Sequence, residues 1–280
     1  LAKQVDPRSD PDVPKGMSVA LLKDLHLLTR EGQLNADARR KLKQIRHLVG
    51  LLKPALDDAL ARQTEPVVVD CGAGKSYLGA LVYELVLGPA GRGSITAIEA
   101  RPELSEQAAA RAARFGQERF RVATGAIDKI ELAERPNVVT ALHACDTATD
   151  DAIVLAIAKN ADHIALVPCC QAEVARQLEG SKPADPVLAA LFAHPLHRRE
   201  FGSHLTNVIR TLVLEAHGYK VTVTELVGWE HSAKNELILA KRVNRFDAAA
   251  RAQLRATLDS FKVLPALVTE LAKRDLDPRT

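Results

Sequence analysis

No apolar run in the 280-residue chain approaches the roughly 20 residues needed to span a bilayer, and nothing near Leu1 resembles a charged start followed by an apolar signal core. A membrane partner is therefore not expected, and a cytoplasmic location is. Cysteine is scarce: four residues, two of them adjacent as Cys169 and Cys170, do not make a secreted disulfide framework and are expected to stay reduced. Charge of one sign is also lacking. With 38 basic against 35 acidic residues the net charge is +3, too small to demand a polyanionic partner by itself, so local patches matter more than the total. No internal repeat is visible. What is present, 47% hydrophobic and 26% charged residues, is an ordinary globular composition, long enough for one catalytic domain with an appendage.

The stretch from Asp6 to Lys15 is rich in Pro and Asp, has no hydrophobic period and is expected to form a mobile or extended arm. From Ser18 to Thr29 and from Asn35 to Arg62, apolar residues such as Leu42, Ile45, Leu48, Val49, Leu52 and Leu56 recur at helical spacing, with Asn35 as an N-cap and Pro54 predicting a break or kink. After Pro66, short β-branched runs alternate with helical segments, the pattern of a mostly parallel sheet covered by helices. The predicted strands are Val67 to Asp70, Ser94 to Glu99, Phe120 to Ala123, Asn137 to His143, His163 to Val167, Tyr219 to Leu226 and Glu236 to Lys241. The helices between them are Tyr77 to Leu87, Glu103 to Phe115, Asp150 to Lys159 and Asn207 to Ala216. Only about nine residues join the last two strands, too few for a crossover helix, so they should pair antiparallel. The expected fold is α/β: a Rossmann-like, doubly wound, mostly parallel seven-stranded sheet with an antiparallel last strand and helical extensions at both ends. Residues 1–64 form the N-terminal arm and helices, 65–244 the sheet domain, and 245–280 C-terminal helices in which Asp247 caps one helix and Pro265 interrupts another.

The segment from Val67 to Gly79 runs a buried strand through Asp70-Cys-Gly-Ala-Gly74 into a helix, where a doubly wound sheet binds a nucleotide-like ligand. Gly72, Ala73 and Gly74 bring backbone rather than side chain to the ligand. A P-loop needs glycine where Val69 stands, and a dinucleotide fingerprint needs it where Tyr77 stands. An acidic residue before Gly-x-Gly, followed by a second at the end of the next strand, is instead the arrangement of class I S-adenosylmethionine-dependent methyltransferases. Asp70 and Glu99 supply the two. Asp70 can anchor the turn or face the ligand's ammonium group through water; Glu99 is expected to take the ribose hydroxyls. The adenine is expected near Gly125, Ala126 and Ile127, where no Asp or Asn stands at the usual exocyclic-amine position unless Asp128 reaches it. S-adenosyl-L-methionine is the expected cofactor.

The fourth and fifth predicted strands end in Ala141-Leu-His-Ala-Cys-Asp-Thr-Ala-Thr-Asp150 and Leu166-Val-Pro-Cys-Cys-Gln171, and Glu230-His-Ser-Ala-Lys-Asn-Glu236 precedes the last strand. With Asp-Cys-Gly-Ala-Gly, these segments resemble the methyltransferase family that includes the eukaryotic tRNA ribose methyltransferases and several methyltransferase-like proteins, over about residues 40 to 242. The resemblance implies a methyl-transfer site at His143, Asp146, Cys169 and Cys170, with His143 also near the cofactor. The tRNA enzymes continue Cys-Cys with histidines whereas this chain has Gln171-Ala-Glu173, so their tRNA site does not carry over.

His143 and Asp146 can position or deprotonate an acceptor hydroxyl, or serve as a strand-end hydrogen bond and a helix cap. Cys169 and Cys170 can supply a thiolate for attack on a pyrimidine, or be small packing residues. Zinc held by His143, Cys145, Cys169 and Cys170 has suitable ligand types but poor geometry for adjacent cysteines, so no metal is expected. Cys71, Cys145, Cys169 and Cys170 should share one rim of the sheet. The Asp-Pro-Pro-Tyr type of segment used on exocyclic amines is absent, which disfavours an adenine amino group as acceptor. Two basic runs, Arg39, Arg40, Lys43 and Arg46 before the sheet domain and Arg198 with Arg199 later, suit either phosphate contact or a solvated face. RNA is the expected acceptor; a small molecule or a protein side chain, or a binding module without turnover, are the alternatives.

Overall fold

Along β1 (Val67–Cys71) the side chains alternate between two cores: Val67, Val69 and Cys71 enter one, Val68 the other. The computed structural model describes residues 6–142, 144, 147–168, 171–179, 186–226 and 236–280. Ahead of β1 stand α1 (Val19–Asp24) and α2 (Ala36–Arg62), and after it α3 (Tyr77–Val82) continues as a π-helical turn, Tyr83–Leu87, into the short α4 (Gly88–Ala90). Then follow β2 (Ser94–Glu99), α5 (Pro102–Arg114), β3 (Phe120–Thr124), β4 (Val138–Leu142), α6 (Thr147–Ala158) and β5 (His163–Val167). Three helices, α7 (Glu173–Glu179), α8 (Pro186–Ala193) and α9 (Pro195–Ala216), lead to β6 (Tyr219–Glu225) and β7 (Glu236–Arg242), and the chain closes with α10 (Ala248–Phe261) and α11 (Ala266–Ala272).

The seven strands are ordered β3-β2-β1-β4-β5-β7-β6. β1 to β5 pair in parallel, and β7 lies antiparallel between β5 and β6. The doubly wound, mostly parallel sheet expected from the sequence is the one observed. The order reverses between β1 and β4, the position at which this class of sheet opens a crevice at the carboxyl ends of its strands.

One face is covered by α1, α2 and α3, whose Leu21, Leu22, Leu42, Leu52, Leu56, Leu78 and Leu81 pack with Val68, Ile95, Val138 and Ala165 of the sheet. On the other face α6 and α9 lie against Val69, Val139, Ile164 and Leu166, with α10 and α11 outside them. α6 is apolar on nearly every side because it sits between the sheet and α11, so Ala152 to Ile157 are all buried. Both terminal extensions therefore share cores with the sheet.

Asn35 caps α2 by accepting from Ala38 N–H at 2.7 Å, and Asp247 caps α10 by accepting from Ala249 and Ala250 N–H. The break expected at Pro54 does not occur: α2 runs on to Arg62. Proline deprives the carbonyl four residues back of its partner, and here that residue is the exposed Gly50, whose carbonyl can turn to water. Two helices, α7 and α8, were not expected.

Candidate active site

β1 leaves the sheet into a tight turn in which Gly72, Gly74 and Ser76 have φ of 65°, 57° and 53°. Glycine is needed at Gly72 for space as well as conformation: a Cβ there would stand 3.3 Å from Ala144 Cβ, so the turn passes directly beside the chain leaving β4. The turn is tied down by Ala73 N–H donating to Ile98 O at 2.9 Å, Gly74 N–H to Glu99 Oε2 at 2.6 Å and Ser76 N–H to Ala73 O at 2.7 Å.

Glu99, 5% exposed, closes β2. Its Oε1 accepts from the backbone N–H of Arg101 at 3.1 Å and from Arg101 Nε at 2.8 Å. Burial pushes the carboxyl up, but the Arg101 side chain and N–H and the Gly74 N–H outweigh it and hold the group below the usual glutamate range. It is an anion at neutral pH. The Arg101 guanidinium also reaches to 3.9 Å from where a Cβ of Gly74 would be, so it lies over the glycine turn.

Asp70 points elsewhere. It shares the face of Val68, and its Oδ1 accepts from Thr140 Oγ1 at 2.9 Å across β4, with Gly79 N–H of α3 also donating to it. This is the placement of an anchor for the turn. Burial raises its pKa to about 7, with the two donors pulling partly back. Between the unfolded value near 4 and about 7, only the folded state keeps the proton, so the Asp70 contribution to stability falls as pH rises through that window. In urea melts from pH 4.5 to 8.5, the stability of Asp70→Asn relative to the wild type is expected to climb up to about pH 7 and then level off. A difference that is flat in pH would show that Asp70 is ionised throughout.

After β3, Ala126 is exposed whereas Ile127 is buried in the core, and Asp128 pairs with Lys129 at 2.8 Å. Cys71 ends β1 as a free, buried thiol whose pKa is raised by burial and by Asp70 and Asp151. Asp151 on α6 is raised to about 6 by burial and by the negative charges of Asp128, Asp150 and Glu270. His143, Cys145, Asp146, Cys169, Cys170 and the segment from Glu230 to Asn235 lie outside the described residues. Among the described residues no group of three or more His, Cys, Asp or Glu is arranged to hold a metal ion, and no helix is long and apolar enough to cross a membrane.

Several residues that serve this edge of the sheet were not foreseen. Arg111 of α5, nearly buried, donates from Nε to Asp24 Oδ2 at 2.7 Å and from Nη1 to Lys75 O at 2.9 Å, fastening the end of α1 to the glycine turn. Beyond β5, a Cβ on Gly202 would fall 2.6 Å from Ala175 Cα, so α7 and α9 touch backbone to backbone. Beside that contact Gln171 Nε2 donates to Ser203 O at 3.2 Å and to Asn207 Oδ1 at 3.1 Å. Asn207 Oδ1 also accepts from Arg210 Nη1 at 3.1 Å, while its Nδ2 donates to Glu236 Oε2 at 2.8 Å. Arg210, 1% exposed, donates from Nε to Asp150 Oδ1 at 2.7 Å. The first turn of α6, the segment after β5 and the start of β7 are thereby joined by one buried polar network.

Residues 40–177 match the protein family described as "Methyltransferase domain". This segment is a methyltransferase domain. It contains the glycine turn, Glu99, Gly125 to Ile127 and the segments after β4 and β5. No curated protein matches the chain. Among solved structures, an rRNA methylase from Streptococcus thermophilus is similar at 11% identity and a TM-score of 0.43, covering 69% of this chain and 94% of that one. Magnesium protoporphyrin IX methyltransferase from Synechocystis PCC 6803, solved with bound S-adenosylhomocysteine (SAH), has 13% identity and a TM-score of 0.45, covering 79% and 94%. Likenesses this loose assign no substrate. The cofactor of the methyltransferase domain is S-adenosyl-L-methionine, and the residues present fit it. A buried carboxylate suits a pair of ribose hydroxyls, a glycine turn at the switch point leaves room beside the backbone, and the buried Ser76 Oγ has no hydrogen-bond partner among the described residues.

Proposed function

We propose that the methyltransferase domain acts on RNA. The reading is carried by where two basic runs stand relative to the crevice. α2 leads into the amino end of β1, and Asp58 near its carboxyl end meets His163, the first residue of β5, at 2.7 Å. Its 27 residues span about 40 Å, against about 17 Å for a five-residue strand. Its amino-terminal part, with Arg40 and Lys43 exposed, consequently extends toward the carboxyl edge of the sheet, where Lys41 is within electrostatic reach of Tyr77 at the start of α3. α9 leads in the same sense into β6 on the opposite face, so Arg198 and Arg199 approach that edge from the other side. A polyanion laid across the crevice would meet both.

Not every predicted contact is equally placed for phosphate. Arg39 pairs with Asp10 at 2.7 Å and with Asp12, Arg46 donates to Pro11 O at 2.9 Å, and Lys43 lies 3.6 Å from Asp12, which binds the N-terminal arm to α2. Arg198 pairs with Glu179 at 2.7 Å and Arg199 with the neighbouring Glu200. Arg40, Lys43, Arg46 and Arg199 are exposed, Arg46 being tied to the N-terminal arm, and exposed ion pairs such as that of Arg199 are readily exchanged for phosphate.

When bound, S-adenosylmethionine supplies an electrophilic methyl on its sulfonium. The protein holds the ribose through Glu99, presents the glycine turn to the rest of the cofactor, and sets the acceptor against the methyl by the segments following β4 and β5. His143 and Asp146, between β4 and α6, are assigned to positioning or deprotonating the acceptor, and Cys169 with Cys170 to the wall after β5 or to a thiolate.

Replacing Arg40, Lys43 and Arg199 together by Glu is expected to lower affinity for total tRNA by about tenfold or more and to flatten its dependence on salt. SAH affinity should stay unchanged. Filter binding across a salt series and calorimetry measure the two. Labelled methyl groups appearing only in protein or metabolite fractions would contradict RNA as acceptor and leave the cofactor site intact.

A further inference from the structure

Gln171 is 9% exposed, and the orientation of its amide is settled by its neighbours. Ser203 O and Asn207 Oδ1 are both acceptors, so Nε2 must face them. Asn207 is fixed in turn: its Oδ1 receives Arg210 Nη1, and its Nδ2 gives to the Glu236 carboxylate. The Arg210–Asp150 pair, buried on both sides, locks the far end. The consequence falls on the other half of the glutamine amide: Oε1 is buried and meets no hydrogen-bond donor among the described residues. An unmet buried acceptor is destabilising, and a network built this fully around one end of an amide leaves the other end with a purpose to be found.

Its place in the fold supplies one. Gln171 lies four positions past the last residue of β5, and β5 runs beside β4 in parallel, so it stands at the carboxyl edge of the sheet near the β1–β4 switch point. Glu236 opens β7, whose antiparallel register with β5 pairs Ile238 with Leu166 and carries Glu236 to the same edge. We propose that Gln171 binds the methyl acceptor, its Oε1 accepting a hydrogen bond from an N–H or O–H of that substrate, and that Asn207 is the positioning residue that aims it. The acceptor chemistry that follows is an N–H or O–H donor standing next to the methylated atom. The inference rests on the methyltransferase domain and not on RNA as its substrate.

The full chain is assayed for transfer of labelled methyl groups from S-adenosylmethionine into total yeast tRNA, and in parallel into protein and metabolite fractions of one extract. Whichever fraction the wild type labels is then used for kinetics. Gln171→Met, which keeps length without polar atoms, is expected to lower kcat/KM about tenfold or more, chiefly through KM. Asn207→Ala should move KM in the same direction, and in both variants the affinity for SAH by calorimetry should stay within about twofold of the wild type. A KM unchanged in Gln171→Met would mean that a buried water serves Oε1, and would overturn the proposal. So would loss of SAH binding by a folded Gln171→Met, since the residue would then serve the cofactor. Labelling confined to protein or metabolites refutes the RNA reading while the same KM comparison still decides on Gln171. A wild type that labels no fraction overturns the acceptor role outright.

Discussion

Arg210→Met is expected to lower the unfolding free energy by about 3–5 kcal/mol, the usual cost of removing one member of a buried ion pair. Both members are nearly sealed from solvent, Arg210 at 1% and Asp150 at 5% exposure. The loss is large because methionine leaves the Asp150 carboxylate without the Nε donor it has at 2.7 Å, and Asn207 Oδ1 without the Nη1 donor. The attraction of the pair in itself is worth much less, since two charges had to be dehydrated to form it. Asp150→Asn combined with Arg210→Met should therefore recover part of the stability, the two changes being coupled rather than additive. Urea denaturation followed by circular dichroism reads both quantities. A loss below about 1 kcal/mol for the single variant would show that water reaches the Asp150 carboxylate.

The second large effect concerns Glu99. Glu99→Gln is expected to weaken binding of SAH by about 100-fold or more, because two hydroxyl donors to a carboxylate are charge-assisted bonds, each worth about 1.5–3 kcal/mol. The amide also turns a donor toward groups that are already donors, the Gly74 N–H and the Arg101 side chain, so the glycine turn itself loosens. Calorimetry measures the affinity and a thermal melt separates it from global damage. Retained affinity in a stably folded Glu99→Gln would mean that the ribose is held elsewhere.

Much of the scaffold was legible because its strands obey local rules. Ser94 to Glu99 and His163 to Val167 were bounded correctly from β-branched and apolar residues alone, and β7 had to be antiparallel because the connection before it is short. Helices α7 and α8 were not legible. They are seven and eight residues long, follow no long amphipathic period, and exist because α9 offers a surface to pack on. Proline at position 54 misled for a related reason: a rule about isolated helices gave way to a helix held on the sheet by Leu48, Leu52 and Leu56.

At the candidate site, Glu99 and the glycines were singled out from spacing, yet the residues that hold them in place could not be. Thr140 is an isolated polar residue in an apolar strand, which hinted at a partner, but only the pairing of β1 with β4 names it as Asp70. Arg210 likewise stands alone in the apolar run from Val208 to Leu214, a visible anomaly whose partner lies 60 residues away. Arg101 gave no signal, because its bond to Glu99 depends on how the chain turns after β2.

Arg111 grips the end of α1 through Asp24 and the glycine turn through the Lys75 carbonyl with a single guanidinium. Whatever shifts one grip shifts the other, and thermodynamic linkage makes the effect run both ways. A shift of α1 would pull on the Lys75 carbonyl, and a shift of the glycine turn would pull on α1. The segment ahead of the sheet thus helps to hold the shape of the glycine turn, and its removal would take a brace away along with a helix.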